Sequence, residues 1–284
     1  MAPGGRLLIF GLGYSGRAIA RAAVAAGWRV AATTRGRAAQ EPGVELVAFD
    51  DAAGAIAAAS HVVATAAPGE AGDPVLARYH DEILAAPGLR WIGYLSTTGV
   101  YGDAAGGRVD EDTPVNPGSE RTRRRVAAER AWAALGMPLA ICRLAGIYGP
   151  GRSMFDDLAA GQGRHVVKPG HLFGRIHVED IAQGVLAAAR QEAVGIFNFA
   201  DDEPASSADV LCEAARLLKV APPPPVAFEQ AVREMSPMAR SFWAENRRVS
   251  AEKTKARLGI YWKYPTYRAG LSAILAEQGG DGAR

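Results

Sequence analysis

Apolar positions in the first half of the chain follow two different periods. Leu7-Leu8-Ile9-Phe10 is a continuous apolar run, the pattern of a strand buried on both faces. It breaks at once into Gly11-Leu12-Gly13-Tyr14-Ser15-Gly16, and an Ala-rich helical pattern continues through Ala26. Similar apolar runs predict strands at 6–11, 28–33, 44–49, 61–66, 90–96 and 138–143, alternating with helices at about 15–26, 52–58, 73–86 and 119–135. Such alternation predicts an α/β fold, a doubly wound parallel sheet with helices on both faces and right-handed crossovers. After Gly146 the pattern changes to a glycine-punctuated, loop-rich stretch. A helix at about 179–190 and a strand at 195–199 are expected to return to the sheet. The remainder, broken by Pro222 to Pro225, is expected to form a smaller lobe. The predicted division is therefore 1–146, with about 176–200 returning to it, and 147–175 with 201–284 as the smaller lobe.

The first strand, glycine turn and helix have the order of a dinucleotide-binding unit. Gly11 suits the tight turn out of the strand, Gly13 admits a pyrophosphate close to the backbone, and Gly16 lets the helix pack near the sheet. The helix N-terminus, with Tyr14 and Ser15 in its first turn, presents free N–H groups and a positive dipole end to phosphates. The end of the second strand decides between cofactors, since an acid there suits a ribose 2′-OH and an Arg suits a 2′-phosphate. Here it reads Thr33-Thr34-Arg35-Gly36-Arg37, with no acid before Glu41, which favours NADP(H) while leaving NAD(H) open. The other reading of Arg35 and Arg37 is a solvated basic loop. Asp50, ending the third strand, suits either the adenine amine or a turn.

Composition changes this picture little. With 284 residues and 49% hydrophobic content the chain can bury a sizeable core as one large domain or two small ones. A net charge of +2, with no basic run interleaved with aromatics, gives no argument for nucleic acid. No apolar stretch has the length of a membrane span, and the first strand begins too early to leave room for a signal peptide. Cys142 and Cys212 lie far apart in apolar surroundings, which fits a reducing cytoplasm better than a disulfide or zinc framework.

Residues 91–102, Trp-Ile-Gly-Tyr-Leu-Ser-Thr-Thr-Gly-Val-Tyr-Gly, resemble the extended short-chain dehydrogenase/reductase family, the nucleotide-sugar epimerases and dehydratases. Asp110 to Pro114, Arg143 to Gly151, Ile176 to Asp180, Phe197-Asn198 and Lys253 to Gly259 agree with it in order and spacing. The resemblance covers nearly the whole chain. It implies an NAD(P)-binding Rossmann domain with a smaller C-terminal substrate lobe and an active site between them. Ala66 and Ser96, at the ends of the fourth and fifth strands, join the cofactor-contacting candidates. Family members use a Ser/Thr after the fifth strand, which falls on Thr97, and a Tyr with a Lys four residues on. Counting back from Ala127-Ala128-Glu129, these two positions hold Arg121 and Arg125. An Arg can hold an anion but, with a pKa above about 12, is a poor proton carrier. The resemblance is therefore to an atypical branch that lacks the usual catalytic pair.

Several residues are candidates for the missing chemistry. Tyr148, in the loop after the sixth strand, can donate a phenolic proton or serve only packing. His177 is a second titratable candidate, although Ile176-His177-Val178 equally suits a packed strand end. From Leu158 to Val178 there is no acid, while Arg164, His165, Lys168, His171, Arg175 and His177 accumulate, as suits a loop over an anionic substrate or an exposed basic loop. Asn246 and Arg247 can reach the same pocket, with Phe242 or Trp243 packing on a ring. The expectation is an NADP(H)-dependent oxidoreductase or epimerase-like enzyme for a small anionic or sugar-derived substrate, possessing Thr97 as a substrate contact. The competing expectation is a non-catalytic NADP(H)-binding protein or redox sensor. A homodimer through the helices at 73–86 and 119–135 is expected from the resemblance, with no nucleic-acid or membrane partner and no metal.

Overall fold

The computed structural model describes residues 5–36 and 40–281. The chain opens with β1 (Arg6–Phe10), α1 (Tyr14–Ala25), β2 (Arg29–Thr34) and β3 (Val44–Ala48). Next come α2 (Ala53–Ala58), β4 (His61–Ala64), α3 (Pro74–Ala85), β5 (Trp91–Thr97), the short β6 (Arg108–Val109), α4 (Glu120–Ala133) and β7 (Leu139–Leu144). The stretch expected to be loop-rich holds β8 (Gly146–Tyr148), α5 (Met154–Ala159), β9 (Val166–Val167) and β10 (Arg175–His177). After α6 (Val178–Gln191) and β11 (Gly195–Phe199) the chain continues through α7 (Ser207–Leu218), β12 (Val226–Ala227), α8 (Phe228–Ala231) and α9 (Pro237–Trp243). It closes with β13 (Arg248–Val249), α10 (Glu252–Leu258) and α11 (Tyr267–Asp281). Among the described residues no helix is long and apolar enough to cross a membrane.

Seven strands form one parallel sheet in the order β11-β7-β5-β4-β1-β2-β3. Strand order reverses between β1 and β4, and ligands of such sheets gather where the strand order reverses, at the carboxyl ends. The apolar run of β1 divides by the two-residue period of a strand: Leu7 and Ile9 face the layer holding α1 and α6, whereas Leu8 and Phe10 face the layer holding α2, α3 and α4. All four are fully buried, contributing about 1.5–3 kcal/mol each. That is why β1 reads as a continuous apolar run.

The helices begin where local chemistry dictates. Asp73 accepts from the Val75 and Leu76 N–H groups before Pro74 opens α3, and Ser119 with Thr122 forms a reciprocal capping box at α4. Gly11 leaves β1 with φ +102°, and a Cβ on Gly16 would come 2.1 Å from the Gly11 carbonyl oxygen, so both positions require glycine. A third, smaller core gathers Tyr148 of β8, Phe155 of α5, Val210 and Ala214 of α7, and Tyr267 and Leu271 of α11.

Candidate functional site

The glycine turn leaves an uncapped helix end. Gly13 is the N-cap of α1 with no side-chain cap, and no acid stands in the first turn. A Cβ on Gly13 would meet nothing within 4 Å, so the backbone is open to a close ligand, and the turn fits a pyrophosphate. Ser15 is half-buried beside it. The Tyr14 hydroxyl donates to the Pro150 carbonyl at 3.0 Å, tying the turn to the loop between β8 and α5, and burial pushes its pKa up to about 12. Thr34 bonds both backbone groups of Gly36, shaping the turn that carries an exposed Arg35. Arg37 lies outside the described residues.

Glu41, which sequence reasoning treated only as the first acid past the strand, is buried and accepts from Arg17 at 2.5 Å and from Arg21 at 2.8 Å. Hydrogen bonding, first from Arg21, holds its carboxyl down to about 2. It faces α1 and is committed there. Asp50 is exposed on a short 3-10 turn after β3, and Ala66 is half-buried just past β4.

Beyond the carboxyl end of β5 lies a crevice of about 890 Å³. Seven of the expected residues line it: Ser96, Thr97, Arg121, Arg125, Tyr148, Arg175 and Arg247. Thr97 Oγ1 accepts from the Gly99 N–H at 3.1 Å, which leaves its own hydroxyl proton for a ligand. Arg125 donates through Nη1 to the Leu95 carbonyl at 2.7 Å and to the Tyr94 hydroxyl at 3.1 Å, anchoring it to β5. Arg121 lies over the Phe242 ring, with neither a hydrogen bond nor an ion pair to a described residue. Desolvation and the neighbouring Arg125 push its pKa down. Arg247 is tied to the Gly102 carbonyl and to Glu245, each at 2.7 Å.

Other expectations are corrected by the packing. The Ser96 hydroxyl, expected at the cofactor, donates at 2.5 Å to Glu129, which is itself held at 2.7 Å by the buried Arg143. The basic stretch does not converge on the crevice. Arg164 pairs with Glu234 at 3.4 Å, and Lys168 donates to the Trp243 carbonyl at 2.6 Å. Of the basic residues in that stretch only Arg175 lines the crevice. Asn246 is structural, bonding the Gly170 carbonyl at 2.9 Å and the Leu172 N–H at 3.2 Å. His177 is 1% exposed, accepts from the Glu179 N–H as the cap of α6, is pushed down to about 4 by burial, and does not line the crevice. Tyr148 lines the crevice, but its hydroxyl turns toward the Thr266 carbonyl at 3.5 Å and burial raises its pKa.

Sequence reasoning missed Arg152, which lines the crevice and lies 5.7 Å over the Tyr14 ring, and missed Asp156 and Asp157 on α5. The signal for α5 was present as the Ser153–Asp156 capping box.

Residues 7–200 match the NAD dependent epimerase/dehydratase family. The chain belongs to that family. The family takes its name from NAD-dependent enzymes, and the open glycine turn of this member is compatible with the pyrophosphate of such a cofactor. Among solved structures, a functionally unknown conserved protein from Silicibacter pomeroyi is 43% identical, with a TM-score of 0.87 over 96% of this chain and 99% of that one. A human epimerase family protein determined with NADPH is 19% identical, with a TM-score of 0.74 over 95% of this chain and 98% of its own, a likeness of fold. A Streptomyces 3-diazoavenalumate denitrifying reductase is 30% identical over 181 residues, a match spanning 57% of this chain and 58% of that protein.

Proposed function

We propose that this epimerase/dehydratase-family protein is an NADP(H)-dependent oxidoreductase or epimerase-like enzyme acting on a small anionic or sugar-derived substrate. The observation that carries the reading is Arg121, a cation lining the same crevice as Thr97 that is influenced by Glu245 but has no carboxylate bonded to it among the described residues. An unpaired guanidinium in a crevice is suited to a ligand anion. The relative named as a reductase and the relative determined with NADPH favour reduction with NADP(H). In this reading residues 1–146 with 176–200 form the nucleotide-binding part, and 147–175 with 201–284 form the substrate lobe.

The Gly11–Gly16 turn and the first turn of α1 would hold the pyrophosphate, and Arg35 the 2′-phosphate. The nicotinamide, when bound, supplies or accepts hydride. Thr97 donates its hydroxyl to the reacting oxygen. Arg121 and the remaining donors of Arg125 stabilise negative charge without exchanging protons, in the positions where related enzymes carry Tyr and Lys. With His177 buried and the Tyr148 hydroxyl turned to Thr266, a water in the crevice carries the proton.

A second reading, a non-catalytic NADP(H)-binding protein or redox sensor, is favoured by the same two arginines, since Arg125 is fastened to the Leu95 carbonyl. The experiment is titration with NADPH and NADH followed by a screen of carbonyl compounds, sugar phosphates and nucleotide sugars, read by NADPH absorbance. Turnover supports the enzyme; tight NADPH binding with no turnover across the screen transfers the proposal to the sensor. The proposal also includes a homodimer through α3 and α4. Glu120 bonds both Arg123 and Arg124, easing like-charge contact on that face. A monomer by light scattering at micromolar concentration would remove the dimer.

A further inference from the structure

Arg175 and Asp201 are opposite charges whose side chains do not bond to each other. Arg175 lines the crevice and, among the described residues, hydrogen-bonds only through Nη1, to the Phe173 and Ala205 carbonyls at 2.9 Å each. Desolvation pushes its pKa down, yet a guanidinium remains charged. Asp201 follows β11, with its backbone N–H donating to the Arg175 carbonyl at 2.6 Å. Its side chain is buried, the residue being 3% exposed, and neither carboxyl oxygen has a well-formed hydrogen bond among the described residues, although the Arg175 backbone N–H lies near enough to favour the ionised form. A withdrawn cation without an ion pair beside a buried carboxyl with no better partner than the Arg175 backbone N–H is costly unless one is neutralised or a ligand supplies the missing charge.

Resting on the reading that the crevice admits an anion, we infer that Arg175 and Asp201 form a proton-coupled anion site. An anionic group of the substrate bonds the free donors of Arg175 while Asp201 holds a proton; at alkaline pH, when the anion leaves, Asp201 releases that proton and becomes the counter-ion, whereas at neutral pH it keeps the proton in both states. At alkaline pH one proton passes from solvent to an Asp201 oxygen for each anion bound, and no other bond changes.

The surroundings agree with this exchange. Burial pushes the Asp201 carboxyl up to about 8 against the pull of Arg175. Asp202 and Glu203, on its own loop, push it the same way as burial, although they are tied to Lys255 at 2.6 Å and Arg268 at 3.2 Å. Tyr148 from β8, Asp209 from α7 and Tyr267 from α11 act on Arg175, while Asp180 and Tyr264 act on Tyr148. None of these supplies a second cation to Asp201.

Sulfate is the probe, because it stays a dianion between about pH 6 and about pH 9, where an ordinary carboxylate does not titrate either. Calorimetry at about pH 9 in buffers of different ionisation enthalpy should show uptake approaching one proton per sulfate, and Kd should rise about tenfold per pH unit above about 8. Asp201→Asn should keep sulfate binding, with no proton uptake and a flat pH profile. Arg175→Met should abolish the binding, and Arg175→Lys, if Met folds poorly, should weaken it about tenfold through loss of the planar fork. Sulfate binding unchanged by Arg175→Met, proton uptake that persists in Asp201→Asn, or a parent that binds no sulfate saturably would each overturn the site. An active parent whose substrate KM ignores both pH and Arg175 would also overturn it while leaving the proposed enzyme standing.

Discussion

The Arg121 guanidinium lies 4.8 Å from the centroid of the Phe242 ring, joining α4 to α9 across the crevice. The stacking holds the cation in place without a hydrogen-bonded carboxylate, although the Glu245 charge acts on it from the same crevice. If this cation receives the substrate anion, Arg121→Ala should raise KM about tenfold or more, as expected for loss of a charge-assisted contact of about 1.5–3 kcal/mol. Phe242→Ala should raise KM less, since an exposed cation–π contact is worth about 0.5–1 kcal/mol. Steady-state kinetics on a substrate from the screen decides it, and an unchanged KM in Arg121→Ala would remove the arginine from recognition.

Thr97 and Tyr148 line the same crevice but differ in what their hydroxyls face. Thr97 keeps its proton free, so Thr97→Val should lower kcat about 100-fold with NADPH affinity nearly unchanged. The Tyr148 hydroxyl turns to Thr266, so Tyr148→Phe should keep most of the turnover. Full activity in Thr97→Val, or its collapse in Tyr148→Phe, would exchange their roles.

Arg35 is exposed directly after β2, so its contact with a 2′-phosphate is partly screened. Arg35→Ala should reduce the preference for NADPH over NADH by about 1 kcal/mol, roughly fivefold. Fluorescence titration of both cofactors measures this, and equal affinities in the parent would contradict the assignment to NADP(H).

Glu129 and Arg143 form a buried ion pair at 2.7 Å beneath the end of β5, with Ser96 bonded to the same carboxylate at 2.5 Å. Glu129→Ala would leave the Arg143 charge buried and unpaired, and should cost about 3–5 kcal/mol in urea unfolding. Replacing both, as Glu129→Leu with Arg143→Met, should recover much of that loss. A single substitution costing under about 1 kcal/mol would mean that water reaches the pair.

The Asp201 carboxyl titrates at about 8 when folded against an ordinary value of 3.8, so between those values the native chain binds the extra proton. Its contribution is fully present below the unfolded value and is lost as pH rises through the folded one. From this group alone, stability should fall across that window by up to about 1.4 kcal/mol per pH unit. Asp201→Asn should flatten the difference between denaturation at about pH 5 and at about pH 8. Identical pH slopes in parent and variant would show that Asp201 is ionised throughout.

Sequence alone determined the parallel sheet and the cofactor turn, because both are written in neighbouring residues. The run Leu7 to Phe10 is apolar on both faces because helices cover both, and Gly11, Gly13 and Gly16 answer local demands of turn, approach and helix packing. Where each charge goes was decided only by tertiary structure. Lys168 and Arg175 look alike in a basic stretch, yet one meets a carbonyl 75 residues away and the other lines the crevice. Ser96 and Thr97 are adjacent and both border the crevice, but successive side chains of a strand point to opposite faces, so the Ser96 hydroxyl is taken by Glu129 while the Thr97 hydroxyl stays open to a ligand. A guanidinium, hydroxyl or carboxyl becomes a site by the partner it lacks, and that partner is set by how distant segments pack.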